Sequence, residues 1–309
     1  MYSQIAGTGA CLPEKVLTNQ DLERMMDTSD AWIRERTGIV RRHIAAETQS
    51  TVDLAEPAAR AAIEAAGLRP TDIDLIVFAT STPDLIFPNC GVLLQQRLGC
   101  PGGAAFSIEA ACSGFVYALS VADKFIKAGE ARHALVVGAE TMSRITDWSD
   151  RGTAVLFADG AGAVVLKATD QAGILSTHLH ADGTFKDLLY CRGGAAIHMA
   201  GSEVFKIAVI NLGKAVDEAL SANGLDRADV DWLVPHQANI RIIQATARRL
   251  DLPMEKVIVT VQDHGNTSAA SIPLALDVGV RDGRIKRGDL LLLEAFGGGF
   301  TWGSALIRY

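Results

Sequence analysis

The apolar positions of the chain form two kinds of segment that alternate along it. Residues 53–66 and 204–222 have the spacing of amphipathic helices, and each segment leads into a glycine, a short loop and an apolar run. The runs at 75–80, 134–138, 233–235 and 290–294 are too short for helices and contain no alternating polar positions. Such runs are typical of strands covered by helices on both faces. The pattern predicts an α/β fold.

The sequence also repeats itself once. Residues 66–77 are similar to residues 223–234, and in both copies a helix end, a glycine and a loop precede a strand. The glycine-rich strand entry at 160–166 is echoed at 299–307. Two copies with so long a period indicate a duplicated domain instead of a solenoid. We therefore expect two similar halves, 1–170 and 171–309; a single doubly wound domain with a chance echo is the alternative.

Composition narrows the functional classes. A chain of 309 residues with 49% hydrophobic residues is expected to fold into a packed enzyme, and its net charge of −7 argues against nonspecific nucleic-acid binding. No apolar stretch approaches the roughly 18 residues of a membrane span, and residues 1–13 lack the pattern of a secretory signal, so a cytoplasmic protein without membrane contact is expected. The five dispersed cysteines argue against a disulfide framework.

Cys112 is the first candidate for chemistry. It stands among small residues directly before a helical pattern at 115–128, so we expect it at a helix N-terminus. There the helix dipole and free backbone N–H groups would stabilise a thiolate, lower the pKa of the thiol and create a nucleophile. A buried structural cysteine is the other interpretation, and this segment alone favours it.

His236 and Asn266 shift the interpretation of Cys112 from a structural to a functional residue. His236 ends the strand at 233–235, where a side chain points toward a crevice, and the repeat partner of this strand runs into Ala79. Asn266 lies before the helical pattern at 272–280, in the loop that the repeat relates to the Cys112 loop. Either residue alone would more often be structural. Their repeat-related positions favour a functional role over a structural one.

Four segments in order now resemble one family. Residues 110–115, 234–239, 264–269 and 294–303 are similar to beta-ketoacyl–acyl carrier protein synthase III, a thiolase-superfamily condensing enzyme of bacterial type II fatty-acid synthesis, and the resemblance covers essentially the whole chain. It implies a thiolase-like α/β fold in which two βαβαβαββ halves form a five-layered αβαβα sandwich. It also implies a homodimer.

The resemblance implies a reaction as well. Cys112 would take an acyl group, expected to be acetyl, from acyl-CoA, while the backbone N–H groups of Cys112 and Gly298 hold the oxyanion. Neutral His236 and Asn266 would then bind the thioester carbonyl of malonyl–acyl carrier protein, so that decarboxylation gives an enolate that attacks the acyl-cysteine. The product is 3-ketoacyl–acyl carrier protein, and no metal or redox cofactor is needed. A longer or branched primer in a specialised pathway is the alternative.

The same resemblance implies three binding regions. The coenzyme A site would contain the residues Thr28, Trp32, Arg36, Arg151 and Asn239. The acyl pocket would be lined by Phe87, Phe157, Leu189 and Phe205, with Phe87 supplied across the dimer interface. The carrier-protein surface would contain Lys206, Arg241, Arg248 and Arg249, although a bare arginine pattern on a helix is more often a solvent face.

Other classes fit less well. A thiolase would need a second cysteine in the C-terminal glycine-rich segment, and no cysteine follows Cys191. A cysteine hydrolase would give Asn266 no obvious purpose, and a noncatalytic acyl-CoA-binding scaffold would be expected to have lost one of the three candidate catalytic residues. His178 and His180 could suggest a metal pair, but without a third ligand they are interpreted as strand surface.

Overall fold

The computed structural model describes residues 1–309. Its first half forms one five-stranded sheet with the strands β1 (Tyr2–Cys11), β4 (Leu75–Ala79), β5 (Ala104–Ile108), β6 (His133–Thr141) and β7 (Asp159–Thr169). The strand order is β1-β7-β6-β4-β5, with β4 parallel to both β5 and β6 and with β7 antiparallel to β1 and β6. All five side chains of β4 are buried, as expected of a strand covered on both faces.

The second half forms a sheet of the same design. Its strands are β8 (Ile174–Ala181), β11 (Trp232–Pro235), β12 (Leu290–Gly297) and β13 (Thr301–Arg308). Their order, β8-β13-β12-β11, corresponds to β1-β7-β6-β4 of the first sheet, and an isolated parallel bridge from Leu233 to Val257 lies where β5 would follow. The predicted internal repeat is therefore visible as two matching sheets.

Two short antiparallel strand pairs are separate from these sheets. These strands are β2 (Lys15–Thr18) with β3 (Arg41–Ile44), and β9 (Leu189–Cys191) with β10 (Ile197–Met199). The first sheet ends at Thr169 and the second begins at Ile174, so the predicted division near residue 170 falls between them.

The helices form three layers around the two sheets. The ten helices are α1 (Asn19–Glu23), α2 (Asp30–Thr37), α3 (Thr51–Ala65), α4 (Cys90–Leu98), α5 (Gly114–Ala128), α6 (Arg151–Ala154), α7 (Gly201–Asn223), α8 (Ile240–Arg249), α9 (Val261–His264) and α10 (Ser271–Arg281). A core of 29 buried residues joins α5 and α10 to both sheets, so these helices form the middle layer. Separate cores place α3 and α4 outside the first sheet, and α7 and α8 outside the second.

This arrangement confirms the predicted five-layered α/β sandwich. The predicted helix at 204–222 begins earlier and ends later in the structure, at Gly201 and Asn223, and the predicted strand at 290–294 continues to Gly297. The helix extension adds only polar residues and a glycine, which apolar periodicity cannot detect, whereas the strand extension adds Ala295, Phe296 and Gly297. None of the helices is long and apolar enough to cross a bilayer.

Candidate active site

Cys112 lies in a short 3₁₀ turn, Ala111–Ser113, between β5 and the first residue of α5. The turn is tight, since Ala111 adopts a left-handed conformation with φ of 46°. Cys112 is 8% exposed and lines a cavity of about 520 Å³ whose walls come from both halves of the chain. The predicted placement of Cys112 at a helix N-terminus is confirmed.

The predicted lowering of its pKa is wrong for the resting thiol. Burial raises the pKa of the Cys112 thiol to about 11, and the nearby Glu140 carboxylate acts in the same direction. The neighbouring Ser268 side chain opposes the rise without cancelling it. The helix N-terminus alone therefore does not leave Cys112 ionised at neutral pH.

His236 follows the last residue of β11, and its own N–H donates to the carbonyl of Glu294 on β12 at 2.8 Å. Its side chain is 7% exposed, and burial lowers the pKa of the imidazole to about 4. The ring is therefore neutral at pH 7, as the sequence predicted. Its Nδ1 lies 2.6 Å from the Ser271 hydroxyl, the first residue of α10.

The Ser271 hydroxyl is the hydrogen-bond partner of this ring. Ser271 Oγ accepts the N–H of Gln237 at 3.3 Å and can donate its own proton to His236 Nδ1. In that arrangement the imidazole proton lies on Nε2. His236 is thereby prepared to donate from Nε2.

Asn266 lies in the loop before α10 and is 6% exposed. Its Oδ1 accepts the backbone N–H of Ser268 at 2.9 Å, so the donating amide group is the part of the side chain left for another partner. Asn266 lines the same cavity as Cys112 and His236. The structure thus brings together the three residues that the sequence singled out, with two neutral donors facing a thiol.

The glycine run reaches this site from β12. A Cβ on Gly297 would lie 2.7 Å from the backbone nitrogen of Cys112, and one on Gly298 would lie 2.9 Å from the carbonyl of Leu189. Only glycine allows such close approach of two backbones. Gly298 and Cys112 line a second cavity of about 1110 Å³ on the other side of the turn.

Comparison with known proteins agrees with this geometry. Residues 106–183 match the family described as 3-Oxoacyl-[acyl-carrier-protein (ACP)] synthase III, and residues 220–309 match its C-terminal part. Proteins named Beta-ketoacyl-[acyl-carrier-protein] synthase III from Thioalkalivibrio sulfidiphilus and Xanthomonas campestris are 63% and 64% identical, over 100% of this chain and 99% of theirs. The chain belongs to this family.

A solved structure supports the same conclusion. The 3-oxoacyl-[acyl-carrier-protein] synthase III of Aquifex aeolicus superposes with a TM-score of 0.97 at 49% identity, covering 99% of this chain and 100% of the other. The predicted family, the thiolase-like fold and the assignment as an acyltransferase of fatty-acid synthesis are confirmed. The roles of individual residues stay predictions.

Of the coenzyme A residues predicted for this synthase, Trp32, Arg36 and Asn239 line the smaller cavity, and Arg151 packs against Trp32. The guanidinium of Arg151 lies 4.7 Å from the centre of the Trp32 ring and that of Arg36 lies 5.7 Å from it, while Asn239 donates to the carbonyl of Arg36 at 3.1 Å. Arg151 and Trp32 are in contact, so no aromatic base fits between them until Arg151 moves. Thr28 has a buried hydroxyl without a partner.

The residues predicted to line the acyl pocket of the synthase differ in which cavity they reach. Phe157 and Leu189 line both cavities and thus separate them next to Cys112, whereas Phe205 lines only the smaller one. Phe87 is 84% exposed, beside Ile86 at 96%. Within one chain Phe87 therefore does not reach the site.

The four residues predicted to bind the carrier protein also differ in their surroundings. Lys206 and Arg241 line the mouth of the smaller cavity, and Arg248 is exposed on α8. Arg249, eight residues from Arg241 on the helix, points toward α7 and pairs with Asp217. Arg249 is thus already engaged within the chain.

Sequence reasoning missed two buried carboxyl groups at this site. Glu140 in β6 is 0% exposed, and Glu294 in β12 is 1% exposed with neither oxygen hydrogen-bonded. Burial raises the pKa of Glu140 to about 7 and that of Glu294 to about 8. Each one follows an apolar run near the carboxyl end of a strand, and that position was the available signal.

His178 and His180, which the sequence left as strand surface, both lie against Glu218, at 3.4 Å and 2.6 Å.

Proposed function

We propose that this chain condenses a short acyl-CoA primer, expected to be acetyl-CoA, with malonyl–acyl carrier protein through an acyl-Cys112 intermediate. The observation that carries the proposal is the convergence of the Cys112 thiol with the donors His236 and Asn266 in one enclosed cavity. The names of the relatives support 3-ketoacyl–acyl carrier protein as the product.

In the first half-reaction, Cys112 attacks the thioester carbonyl and expels coenzyme A. The developing oxyanion would be held by the backbone N–H groups of Cys112 and Gly298, and each such donor is worth roughly 10²-fold in rate. The close approach of Gly297 to the Cys112 backbone supports this assignment, because it keeps the two backbones in a fixed relation.

In the second half-reaction, the malonyl thioester carbonyl accepts from His236 Nε2 and from the Asn266 amide. Both donors are neutral and fixed by a second hydrogen bond, one with Ser271 and one with Ser268. They therefore need little rearrangement when loss of CO₂ turns the carbonyl into an enolate oxygen. The enolate carbon attacks the acyl carbonyl and releases Cys112. No metal or redox cofactor takes part in these steps.

The mouth of the cavity supports the two substrates. Trp32 and Arg36 offer stacking and a positive charge for the nucleotide of coenzyme A, and Arg151 and Asn239 lie beside them. Lys206 and Arg241 supply positive charge at the same opening, where an acidic carrier protein would deliver its malonyl group.

A homodimer belongs to the same proposal. The segment of Leu85, Ile86 and Phe87 exposes 49%, 96% and 84% of its side chains, which is unusual for three successive large apolar residues. Leu85 and Ile86 also border the larger cavity behind Cys112. A second copy covering this segment would remove it from water and close that cavity.

Intact-mass measurement with acyl-CoAs of graded length and branching tests the proposal. We expect a mass gain of one acyl group on the wild type, none on Cys112→Ser, and a normal gain on Cys191→Ser, which removes an exposed thiol as a matched control. Addition of malonyl–acyl carrier protein should then give the ketoacyl product. An adduct lost only to water would favour the hydrolase instead.

His236→Ala separates the two half-reactions. This variant should still form the acyl-enzyme but should lose at least about 10²-fold in decarboxylation, because it lacks one enolate donor. A normal rate of CO₂ release from this variant would contradict the assigned role.

A further inference from the structure

Arg42 in β3 is the largest side chain that the fold buries completely. It is 0% exposed, yet its guanidinium donates only to neutral oxygens: the carbonyls of Leu17 at 3.3 Å and Val155 at 3.0 Å, and the amide oxygen of Asn19 at 2.9 Å. Its Nε–H has no partner. A buried charge without a counter-ion is a poor way to stabilise a fold, since apolar side chains of similar volume often do so better. The charge therefore points to a role besides stability.

One partner of Arg42 leads to the helix that carries coenzyme A residues. Asn19 is 0% exposed, and while its oxygen accepts from Arg42, its amide group donates to the Asp30 carboxylate and to the carbonyl of Ile39, both at 2.8 Å. Asp30 is the first residue of α2, and Ile39 follows the glycine that caps its C-terminus. Arg42 and Asn19 therefore hold both ends of the helix on which Trp32 lies.

The other partner leads to Asn266. Arg42 donates to the carbonyl of Val155, and the residues that follow Val155 pair with the loop before α10. The N–H of Asn266 donates to the carbonyl of Leu156, and the N–H of Ala158 donates to the carbonyl of Asn266, both at 2.9 Å. Both backbone groups of Asn266 are thus held by the segment that Arg42 anchors.

The Asn266 loop also lies directly against the strand of Arg42. Gly265 has a left-handed φ of 68°, and a Cβ there would lie 3.2 Å from the Cβ of Arg42 and 3.2 Å from the carbonyl of Leu156. The neighbouring Arg41 pairs with Asp263 at 2.8 Å on the surface. The guanidinium therefore lies where three parts of the fold meet: the loop of Asn266, the segment that pairs with it, and the support of α2.

We propose that Arg42 is a positioning residue whose guanidinium holds the coenzyme A helix α2 and the Asn266 loop in one fixed relation. The proposal rests on the proposed roles of Trp32 and Asn266, and it gives Arg42 no contact with substrate. A guanidinium serves acceptors in different directions from one rigid plane, whereas the lysine ammonium is a single point on a flexible stem. Arginine therefore fits this junction and lysine does not.

Loss of the junction should act on primer binding and on decarboxylation, but not on the nucleophile. The Cys112 turn is fastened to β13, where the Ser113 hydroxyl donates to the carbonyl of Thr301 at 2.8 Å and the Thr301 hydroxyl donates to the carbonyl of Ala110 at 3.0 Å. These bonds do not involve the segments that Arg42 joins. Alkylation of Cys112 by iodoacetamide therefore reports on the thiol separately.

The experiment compares Arg42→Met with the wild-type residue, both in a Cys191→Ser background that lacks the exposed thiol. Alkylation of Cys112, acylation by graded concentrations of acetyl-CoA, and CO₂ release from malonyl–acyl carrier protein are measured per folded molecule. We expect CO₂ release to fall roughly 10- to 10²-fold, because a displaced Asn266 misplaces an enolate donor. The KM for acetyl-CoA should rise several-fold, and alkylation should proceed at the rate of the background protein.

A matched control lies one residue earlier on the same strand. Arg41 is 52% exposed and pairs with Asp263, and exposed pairs contribute little, so Arg41→Met should keep all three values. If Arg42 served stability alone, Arg42→Met would show a lower Tm with unchanged rates per folded molecule, and that result would overturn the proposal. Equal losses in alkylation and CO₂ release would overturn it too, because they indicate a general distortion. So would full CO₂ release in Arg42→Lys, which keeps only the charge.

Asn19→Ala tests the same junction even where Arg42→Met does not fold. It cuts the link to α2 and leaves the bond to Val155, so the KM for acetyl-CoA should rise several-fold while CO₂ release stays close to the wild-type rate. An unchanged KM would overturn the proposal. A wild type that forms no acyl-Cys112 and releases no CO₂ would instead refute the proposed function, so the two failures are distinguishable.

Discussion

Gly297 allows a direct test of how the backbone of the Cys112 turn positions the thiol. In Gly297→Ala the new Cβ would meet three backbone atoms, the nitrogens of Cys112 and Ser113 at 2.7 Å and 3.0 Å and the carbonyl of Ala110 at 3.2 Å. Ordinary contact begins at 3.4 Å, so the turn must move by about 0.7 Å. Backbone atoms cannot rotate away as the end of a side chain can.

The expected cost follows from that movement. A displacement approaching 1 Å at a reacting group costs roughly 10²-fold in rate, or ~2.7 kcal/mol in the barrier. Overpacking should also lower the free energy of unfolding by about 1 to 3 kcal/mol. Acylation of Gly297→Ala should therefore fall roughly 10²-fold under conditions where circular dichroism shows it to be folded.

A matched control separates position from stability. Gly173→Ala places a Cβ 2.6 Å from the backbone of Gln4, an equally severe contact outside both cavities. It should lose comparable stability but acylate at close to the wild-type rate per folded molecule. Gly297→Ala with wild-type acylation and an unchanged Tm would refute the geometric reasoning, and equal acylation losses in both variants would assign the effect to stability alone.

Three further predictions concern charges. Since the pKa of His236 is lowered to about 4, CO₂ release should persist below pH 6 and fall only as the ring is protonated, and Ser271→Ala should reduce it about 10-fold. The pKa of Glu294 is raised from 4.5 to about 8, so between these pH values the folded state retains a proton that the unfolded state loses. The free energy of unfolding should therefore decline as the pH rises from 4.5 to about 8. Glu294→Gln should remove that decline in urea titrations. Arg241→Ala should raise the KM for malonyl–acyl carrier protein more than Arg249→Ala does.

Each of these has a contrary outcome. A decarboxylation profile that falls near pH 6.5 in the wild type would mean that His236 has an ordinary pKa. The same pH dependence of stability in Glu294→Gln and the wild type would place the titrating group elsewhere. Equal KM changes in the two arginine variants would show that the pairing of Arg249 with Asp217 does not withhold it from the carrier protein.

The sequence was sufficient for the fold because the signal was duplicated. Apolar runs at 75–80 and 233–235 are buried strands, and the glycines at 67 and 224 adopt left-handed φ values of 68° and 62° at equivalent helix ends. Because the same pattern of helix end, glycine and strand occurs twice, most chance interpretations of it are excluded. The placement of Cys112, His236 and Asn266 at one cavity followed from their positions at strand ends and helix starts.

Properties that depend on burial were not predictable in this way. A helix N-terminus predicts a low thiol pKa, but packing around Cys112 raises it, and only coordinates show how completely water is excluded. Arg249 follows the helical spacing of Arg241, yet its engagement with Asp217 depends on the packing of α7 against α8. Glu140 was overlooked because a single acid after an apolar run is unremarkable until its donors are known.

The duplication also explains how equivalent positions of the two halves come to hold residues with different roles. Ser268 follows Ala111 by the same number of residues as the start of β12 follows the start of β6. Ala111 and Ser268 both have a left-handed backbone conformation. Each of these strands packs against the left-handed turn of the other half: Gly138 of β6 lies against Ala269, and Gly297 of β12 lies against the backbone of Cys112. The repeat partner of Gly297 is Glu140, whose buried carboxyl group is held by Thr82. Gly297 keeps no side chain, so backbone meets backbone beside the nucleophile. Any side chain at this position would therefore displace the thiol.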